Sequence, residues 1–266
     1  MDHHLSPYQV AAVRMVASGL VLFPFCIRFF KQIPTQKLPF VAISGTLGSL
    51  IPAFLFCLAE EGLDSSLAGA LNSLTPIFVI VCGALFFKTP TPWIKVAGIL
   101  IAFTGSFLLL LSKGAPGENN QYGYVSLIIL ATLLYGFNVN MVARKLKDIP
   151  SLHIAGVSLT LNAIPALIIL FGTGFFSNHL HEPGIWKGVA ASAFLGISST
   201  ALATVLFYIL LKRASPLFAS MVTYGIPFIA LGWGLVYGET ILPAQVGSLL
   251  VILTGVYIAN RPTRSN

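Results

Sequence analysis

The residues of this chain best placed for chemistry are uncharged. Asn72, Ser73 and Pro76 lie in one apolar run, and Thr223, Tyr224 and Pro227 hold the matching places in a second. A proline nitrogen cannot donate, so each proline frees the carbonyl four residues earlier, at Asn72 and Thr223. In hydrocarbon a free carbonyl must find protein, water or a ligand. Tyr135 and Asn138 stand three apart on one helical face, and Ser198 and Ser199 lie in another apolar run. These ten residues form the candidate substrate-binding set. The competing reading of each is structural: a proline kink satisfied by a nearby hydroxyl, or a side chain that hydrogen-bonds one helix to the next.

Other reactive types are placed less promisingly. Arg14 is the only charge well inside an apolar run, about one turn from its outer end; snorkelling to the interface is expected, and function is the alternative. Glu60, Glu61 and Asp64 cluster in one loop, as a lure for cations or as an ordinary acidic cap. His179 and His181 have no cysteine or carboxylate cluster to complete a metal site, so neither metal nor cofactor is expected. Cys26, Cys57 and Cys82 stand singly among apolar residues and read as packing. The HExxH, GxSxG and phosphate-loop patterns are missing, so no enzyme is expected and no catalytic residue is assigned. Each carboxylate lies in a loop or at the end of a run, which leaves no proton carrier at depth. The coupling expected is a solute gradient, in efflux or exchange, not obligatory proton antiport.

The elements that must position these residues are membrane spans. Apolar residues make up 56% of the 266, charged residues 9%, and the mean hydropathy is +0.88, so a water-soluble fold would lack polar surface to cover itself. Runs approaching the length of a roughly 30 Å hydrocarbon crossing recur. They fall near 10–30, 40–59, 67–87, 93–111, 125–143, 154–171, 188–211, 217–237 and 244–258, and none alternates as a barrel strand would. The expected fold is an all-α polytopic membrane protein of about nine transmembrane helices. Trp93, Trp186, Tyr122 and Tyr124 sit at span ends as interfacial anchors.

Charge sets the orientation. Arg28, Lys31, Lys37, Lys88, Lys95, Arg144, Lys145, Lys147, Lys212, Arg213, Arg261 and Arg264 fall on alternate loops, hence on one side. Asp2, Glu60, Glu61, Asp64, Glu118, Glu182 and Glu239 fall on the other, with Asp148 the exception. The positive-inside rule makes the basic side cytoplasmic and the C-terminus with it. The net charge of +7 therefore needs no nucleic acid to explain it.

The chain also repeats itself. LAGALNSLTPIFVIVCGALFF at 67–87 returns as FASMVTYGIPFIALGWGLVYG at 218–238, with Ala68 on Ala219, Pro76 on Pro227 and Gly83 on Gly234, an offset of 151. The register reaches back to Gly45 and Gly196; after one deleted residue it resumes as Thr104-Gly105 on Thr254-Gly255. Glu61 aligns with Lys212 and Lys88 with Glu239, so equivalent loops carry opposite signs and the copies are inverted. Inverted repeats are the usual architecture of secondary transporters, with the site near the midplane between them. The expected division is a first repeat at 1–113, a polar linker at 114–123, a second repeat at 124–260 and a cytoplasmic tail at 261–266. The run at 125–143 has no counterpart ahead of MDHHLSPYQVAAVRM, giving four spans plus five where five plus five is expected; a downstream start or a truncation would explain it.

The motifs LSPYQVAAVRM, SLAGALNSLTPIFV with Gly83, VAGILIAFTGSFLLL, the stretch 131–145 and SPLFASMVTYGIPFIALGWGLVYGETILPAQVGSLLVILTGVYI resemble the drug/metabolite transporter superfamily, EamA type. The similarity covers almost everything from Leu5 to Asn260, and departs from the family in its absent first helix and in Lys88 opposite Glu239. The resemblance implies two inverted repeats in a bacterial inner membrane that export or exchange small metabolites, amino-acid-like or drug-like. A small-molecule substrate and the lipid bilayer are the expected partners, nucleic acid is not, and a homodimer is left open. The alternatives are a truncated, non-transporting membrane protein and, with no residues to carry it, an intramembrane enzyme.

Overall fold

In the computed structural model all regular structure among the described residues is helical; these are 5–63, 65–111, 122–176, 184–226, 228, 229, 232 and 242–261. Six segments there are long and apolar enough to cross a membrane, and Trp93–Leu109 and Pro243–Ala259 are shorter apolar helices. Local chemistry sets where the first and last helices begin. The first, α1 (Pro7–Phe29), has Pro in its opening turn, where a missing N–H costs nothing. The Ser6 N–H donates to Gln9 Oε1 at 3.0 Å, and the Gln9 N–H donates back to Ser6 Oγ at 3.3 Å. The last helix (Pro243–Ala259) repeats half of the device: the Leu242 N–H donates to Gln245 Oε1 at 3.0 Å.

Several expected spans are not uniform helices. The run at 40–59 is α2 (Leu38–Gly45), a π-helical stretch Thr46–Leu50, and α3 (Ile51–Ala59). The proline run is α4 (Ser65–Asn72) and α5 (Thr75–Phe87), followed by α6 (Trp93–Leu111), α7 (Tyr122–Lys145) and α8 (Ser151–Gly172). The run at 188–211 is α9 (Ile185–Leu195), a second π stretch Gly196–Leu202, and α10 (Ala203–Arg213). Next come α11 (Pro216–Ser220), a 3-10 stretch Met221–Gly225, and the last helix as α12 (Pro243–Ala259).

These irregularities obey the repeat. At the offset of 151, Gly45 falls on Gly196 and Leu50 on Ala201, so the two π stretches coincide. The tightened turns before the prolines coincide as well. The Ser73 and Leu74 N–H groups bond to the carbonyls of Ala70 and Leu71, three residues back, and their counterparts Tyr224 and Gly225 lie in the 3-10 stretch. The first copy therefore has a full break where a kink was expected. Ending α4 at Asn72 removes the clash between the Pro76 ring and the carbonyl four residues before it, and Pro76 then stands in the first turn of α5. Pro227 lies outside the described residues.

The chain forms two compact units, Met1–Glu61 with Met141–Ser215 and Gly62–Asn140 with Pro216–Asn266. The sequence copies run along the chain, while each unit draws segments from both. In the first unit α1 lies against α8. A Cβ on Gly19 would overlap that of Ala163, and Gly156 meets Phe25, so α8 descends as α1 ascends.

In the second unit α6 and α12 cross with almost no side chain between them. A Cβ on Gly105 would lie 2.7 Å from the Ile252 nitrogen and 2.9 Å from the Ser248 carbonyl. A Cβ on Gly255 would overlap the Ala102 nitrogen and lie 2.5 Å from the Gly98 carbonyl. At an offset of 150 these two contacts are the same contact, since Gly105 maps to Gly255, Ala102 to Ile252 and Gly98 to Ser248. The partners of Gly98 are Gly255 and Ala259, so α12 descends as α6 ascends. Equivalent helices run in opposite directions, as the loop charges require. In lipid, where apolar side chains gain nothing by leaving the solvent, close backbone approach at small residues is what holds helices together.

Candidate functional site

The second unit gathers most of the candidate residues. At the break between α4 and α5, Thr75 Oγ1 donates to Asn72 Oδ1 at 3.2 Å, and both Ser73 and Pro76 are buried. Ser73 is 0% exposed and its hydroxyl is enclosed without a hydrogen-bond partner. Its counterpart Tyr224 is also buried, but its phenol donates to the Ile99 carbonyl of α6 at 3.1 Å, within a core of Ile99, Ala102, Met221, Ile252 and Ala259. Thr223 Oγ1 donates to the Ser220 carbonyl at 2.9 Å. Tyr135 is half-buried and Asn138 buried, both on α7.

Ser198 and Ser199 belong to the first unit, inside its second π stretch. Each bonds the carbonyl four residues back, Phe194 and Leu195, both at 2.7 Å. That is the habit of a hydroxyl easing an irregular helix.

Sequence reasoning missed two asparagines. In the second unit Asn140 of α7 donates through Nδ2 to the Val79 carbonyl of α5 at 2.8 Å and to the Gly136 carbonyl of its own helix at 2.9 Å. Its side chain lies against Gly83, one of the glycines that the duplication matches. In the first unit Asn162 of α8 donates to the Ala42 carbonyl of α2 at 3.0 Å and to the Ser158 carbonyl at 2.8 Å, and it lies against Gly45. Thr46 Oγ1, the first residue of the π stretch, donates to Asn162 Oδ1 at 2.8 Å. An asparagine inside an apolar run, with a glycine in a neighbouring run, is the signal that could have found both.

Charged groups mark the two ends of the first unit. At one end Lys37 pairs with Asp148 at 3.0 Å, and Lys212 Nζ donates to the Leu146 and Lys147 carbonyls at 3.1 and 3.3 Å. The Lys37 hydrogen bond holds the Asp148 carboxyl below the usual carboxylate range. These contacts bring together three loops that the charge pattern puts on one side. At the other end the Arg14 guanidinium rests by Nη1 on Cys57 Sγ at 3.9 Å. Glu60 closes α3 there; burial pushes its carboxyl above the usual range and the Arg14 charge pulls it partly back. Gln9 Nε2 reaches the Thr173 carbonyl at 3.4 Å and ties the start of α1 to the end of α8. Asp64, Glu118, Glu182, Glu239, His179 and His181 lie outside the described residues.

Apolar helices joined by small-residue contacts, with uncharged polar groups collected at paired irregularities, define a polytopic membrane protein. Residues 1–111 and 123–261 match the EamA-like transporter family, and the chain belongs to that family. It is 27% identical over 259 residues to an uncharacterized transporter of Archaeoglobus fulgidus, covering 97% of this chain and 90% of that protein. It is 25% identical to the uncharacterized inner membrane transporter YedA of Escherichia coli K12, covering 95% of this chain and 81% of that one. A probable amino-acid metabolite efflux pump of Salmonella typhimurium is 23% identical, over 96% of this chain and 86% of its own length. One solved crystal structure superposes with a TM-score of 0.73 at 18% identity, over 96% of this chain and 88% of that one, and shares the fold.

Proposed function

We propose that the protein is a secondary transporter of the inner cell membrane that exports or exchanges small amino-acid-like or drug-like solutes by alternating access between its inverted repeats. The observation that carries this reading is the pair of helix breaks at equivalent places, one enclosing the unpartnered Ser73 hydroxyl. Asn72, Ser73, Pro76, Thr223, Tyr135 and Asn138 offer uncharged groups to the solute, Pro227 joins them by its place in the sequence repeat, and Tyr224 holds the second break to α6. Ser198 and Ser199 serve the same cycle from the first unit, where the widened turns let α9 and α10 flex. The names of the Salmonella and E. coli relatives support an amino-acid metabolite as solute and the inner membrane as location.

The test is counterflow of amino acids in proteoliposomes. Asn72→Leu is expected to lower flux several-fold while the protein still reaches the membrane; normal flux in Asn72→Leu with Ser73→Ala would return both to a packing role. Each acid among the described residues (Glu60, Glu61 and Asp148) lies outside the spans, which supports coupling to the solute gradient. Uphill accumulation driven by an imposed pH gradient, surviving Glu60→Gln and Glu61→Gln together, would sink that coupling. The C-terminus is cytoplasmic in this reading, so reporters fused after Lys147 and after Arg213 should both report cytoplasm.

A further inference from the structure

Arg14 lies on the eighth residue of α1, with no other charge in that helix before Arg28. Its Nη1 is turned onto the Cys57 thiol near the end of α3, and its Nε is enclosed with no hydrogen-bond partner. Sulfur at 3.9 Å is a weak acceptor, and among the described residues Arg14 makes no ion pair. Glu60, one turn beyond Cys57, is near enough for the two charges to feel each other. The Arg14 backbone is also pinned: a Cβ on Gly196, where the second π stretch opens, would overlap the Arg14 carbonyl. Widened π turns inside helices are frequent at functional sites.

A guanidinium presents five N–H donors in a rigid fork whose natural complement is a carboxylate held through two oxygens. Here the fork is fixed in place by its backbone and left short of acceptors. An intramembrane ion in that state is costly to keep, and such residues face a partner or a water-filled path.

We propose that Arg14 is the anion-recognition residue of the first unit and receives the carboxylate of the transported solute, with Glu60 as the resident counter-charge between solutes. This rests on the transporter reading above and narrows its substrate class to solutes bearing a carboxylate. Cationic solutes without one are repelled from this end of α1. A loaded carboxylate takes up the Nε and Nη donors that Cys57 and Glu60 leave unsatisfied.

Cys57 supplies the test, because its sulfur reports the field of the guanidinium. In the chain with Cys26→Ser and Cys82→Ser, reconstituted in liposomes, the rate of thiol modification is measured with two methanethiosulfonate reagents. One carries a sulfonate and the other a trimethylammonium group, and both rates are normalised to those with 2-mercaptoethanol. A unit charge at this range predicts a preference for the anionic reagent of about tenfold. Arg14→Gln should bring the ratio to about one, and Arg14→Lys should keep most of it. Glu60→Gln, which leaves Arg14 in place, should raise it. Millimolar benzoate should slow the anionic reagent, and benzamide, equal in shape but uncharged, should not. A normalised ratio at or below one, a ratio indifferent to Arg14→Gln and Glu60→Gln, or no modification of Cys57 from either face overturns the proposal. Benzoate without protection overturns the carboxylate assignment. None of these readouts requires flux, so a protein that fails counterflow but keeps the charge preference would count against the transporter reading alone.

Discussion

The two compact units solve one packing problem twice, and with different tolerance. Each sets an asparagine from one helix into a glycine notch on another. Asn162 lies against Gly45 in the first unit, and Asn140 against Gly83 in the second. Each Nδ2 donates to a carbonyl of its own helix four residues back and to one on the facing helix. The first notch is the tighter. A Cβ on Gly45 would overlap Asn162 Nδ2 and come within 2.7 Å of the Ser158 carbonyl, which is backbone and cannot step aside. A Cβ on Gly83 would stand 3.1 Å from Asn140 Oδ1, the end of a side chain that can give. The first notch also borders a π stretch and recruits the Thr46 hydroxyl. The second borders an ordinary α-helix. Where a helix is widened, its freed groups need a side chain to hold them, and the fit tightens around that side chain.

The largest effect should separate the glycines. Gly45→Ala is expected to cost about 1–3 kcal/mol or more by overpacking against backbone, read as a lower melting temperature in detergent and a loss of folded yield. Gly83→Ala should stay within roughly 0.5 kcal/mol, since a small shift of Asn140 relieves it and alanine suits a helix better than glycine. Equal costs at the two positions would erase the distinction.

The asparagines come next. Asn162→Leu removes a donor pair and the acceptor of Thr46, and should cost about 1–2 kcal/mol; Asn140→Leu should cost about 1 kcal/mol, near the modest worth of such bonds in membranes. Thr46→Val in the Asn162→Leu background should then cost less than it does alone, what remains being the 3.2 Å bond of Thr46 Oγ1 to the Ala42 carbonyl. A full additional loss would show that the threonine acts elsewhere.

The smallest effect lies at the two ends of the first unit and has opposite signs. Asp148 is held below its ordinary range by Lys37, so its contribution is present above the ordinary carboxylate pKa and fades as pH falls through the folded value. Glu60 is raised by burial, so its contribution is present at low pH and is lost as pH rises from the ordinary range through the folded value. Melting curves of Lys37→Met and Glu60→Gln across pH 3 to 7 should therefore both leave the parent at the high-pH end, Lys37→Met falling below it and Glu60→Gln rising above it.

Much of this fold was legible in the sequence because its signals are long. Runs of apolar residues specify spans whatever their partners are, and matched glycines and prolines survive duplication because each fixes a backbone event. Gly105 and Gly255 were visible as a pair, and they are the two faces of one crossing. What stayed hidden depends on which face of a helix meets which neighbour. Asn138 and Asn140 are two residues apart on α7, and the sequence gives no reason to prefer the second as the bolt into α5. Tyr224 reads in the sequence as a substrate-binding candidate, and nothing there names the Ile99 carbonyl of α6 as the partner that its phenol takes. The π stretches were unreadable, since a widened turn has no composition of its own; only the structure shows Ser198 and Ser199 bonding back along it.

The crossing of α6 with α12 also sets a schedule for synthesis. Gly98 leaves the ribosome well over a hundred residues ahead of Gly255, its contact partner. At about 5–20 residues per second, a helix in α6's position waits on the order of ten to thirty seconds for the helix it fits. During that interval a face shaped for close backbone approach, carrying Gly98, Ala102 and Gly105, lies open in the bilayer. Any other small-residue helix inserted nearby, including α6 of a neighbouring nascent chain, can dock there first. The second unit is thus the last to close, and α1 of the first unit, whose Gly19 waits for Ala163 of α8, keeps its own close-packing face open for nearly as long.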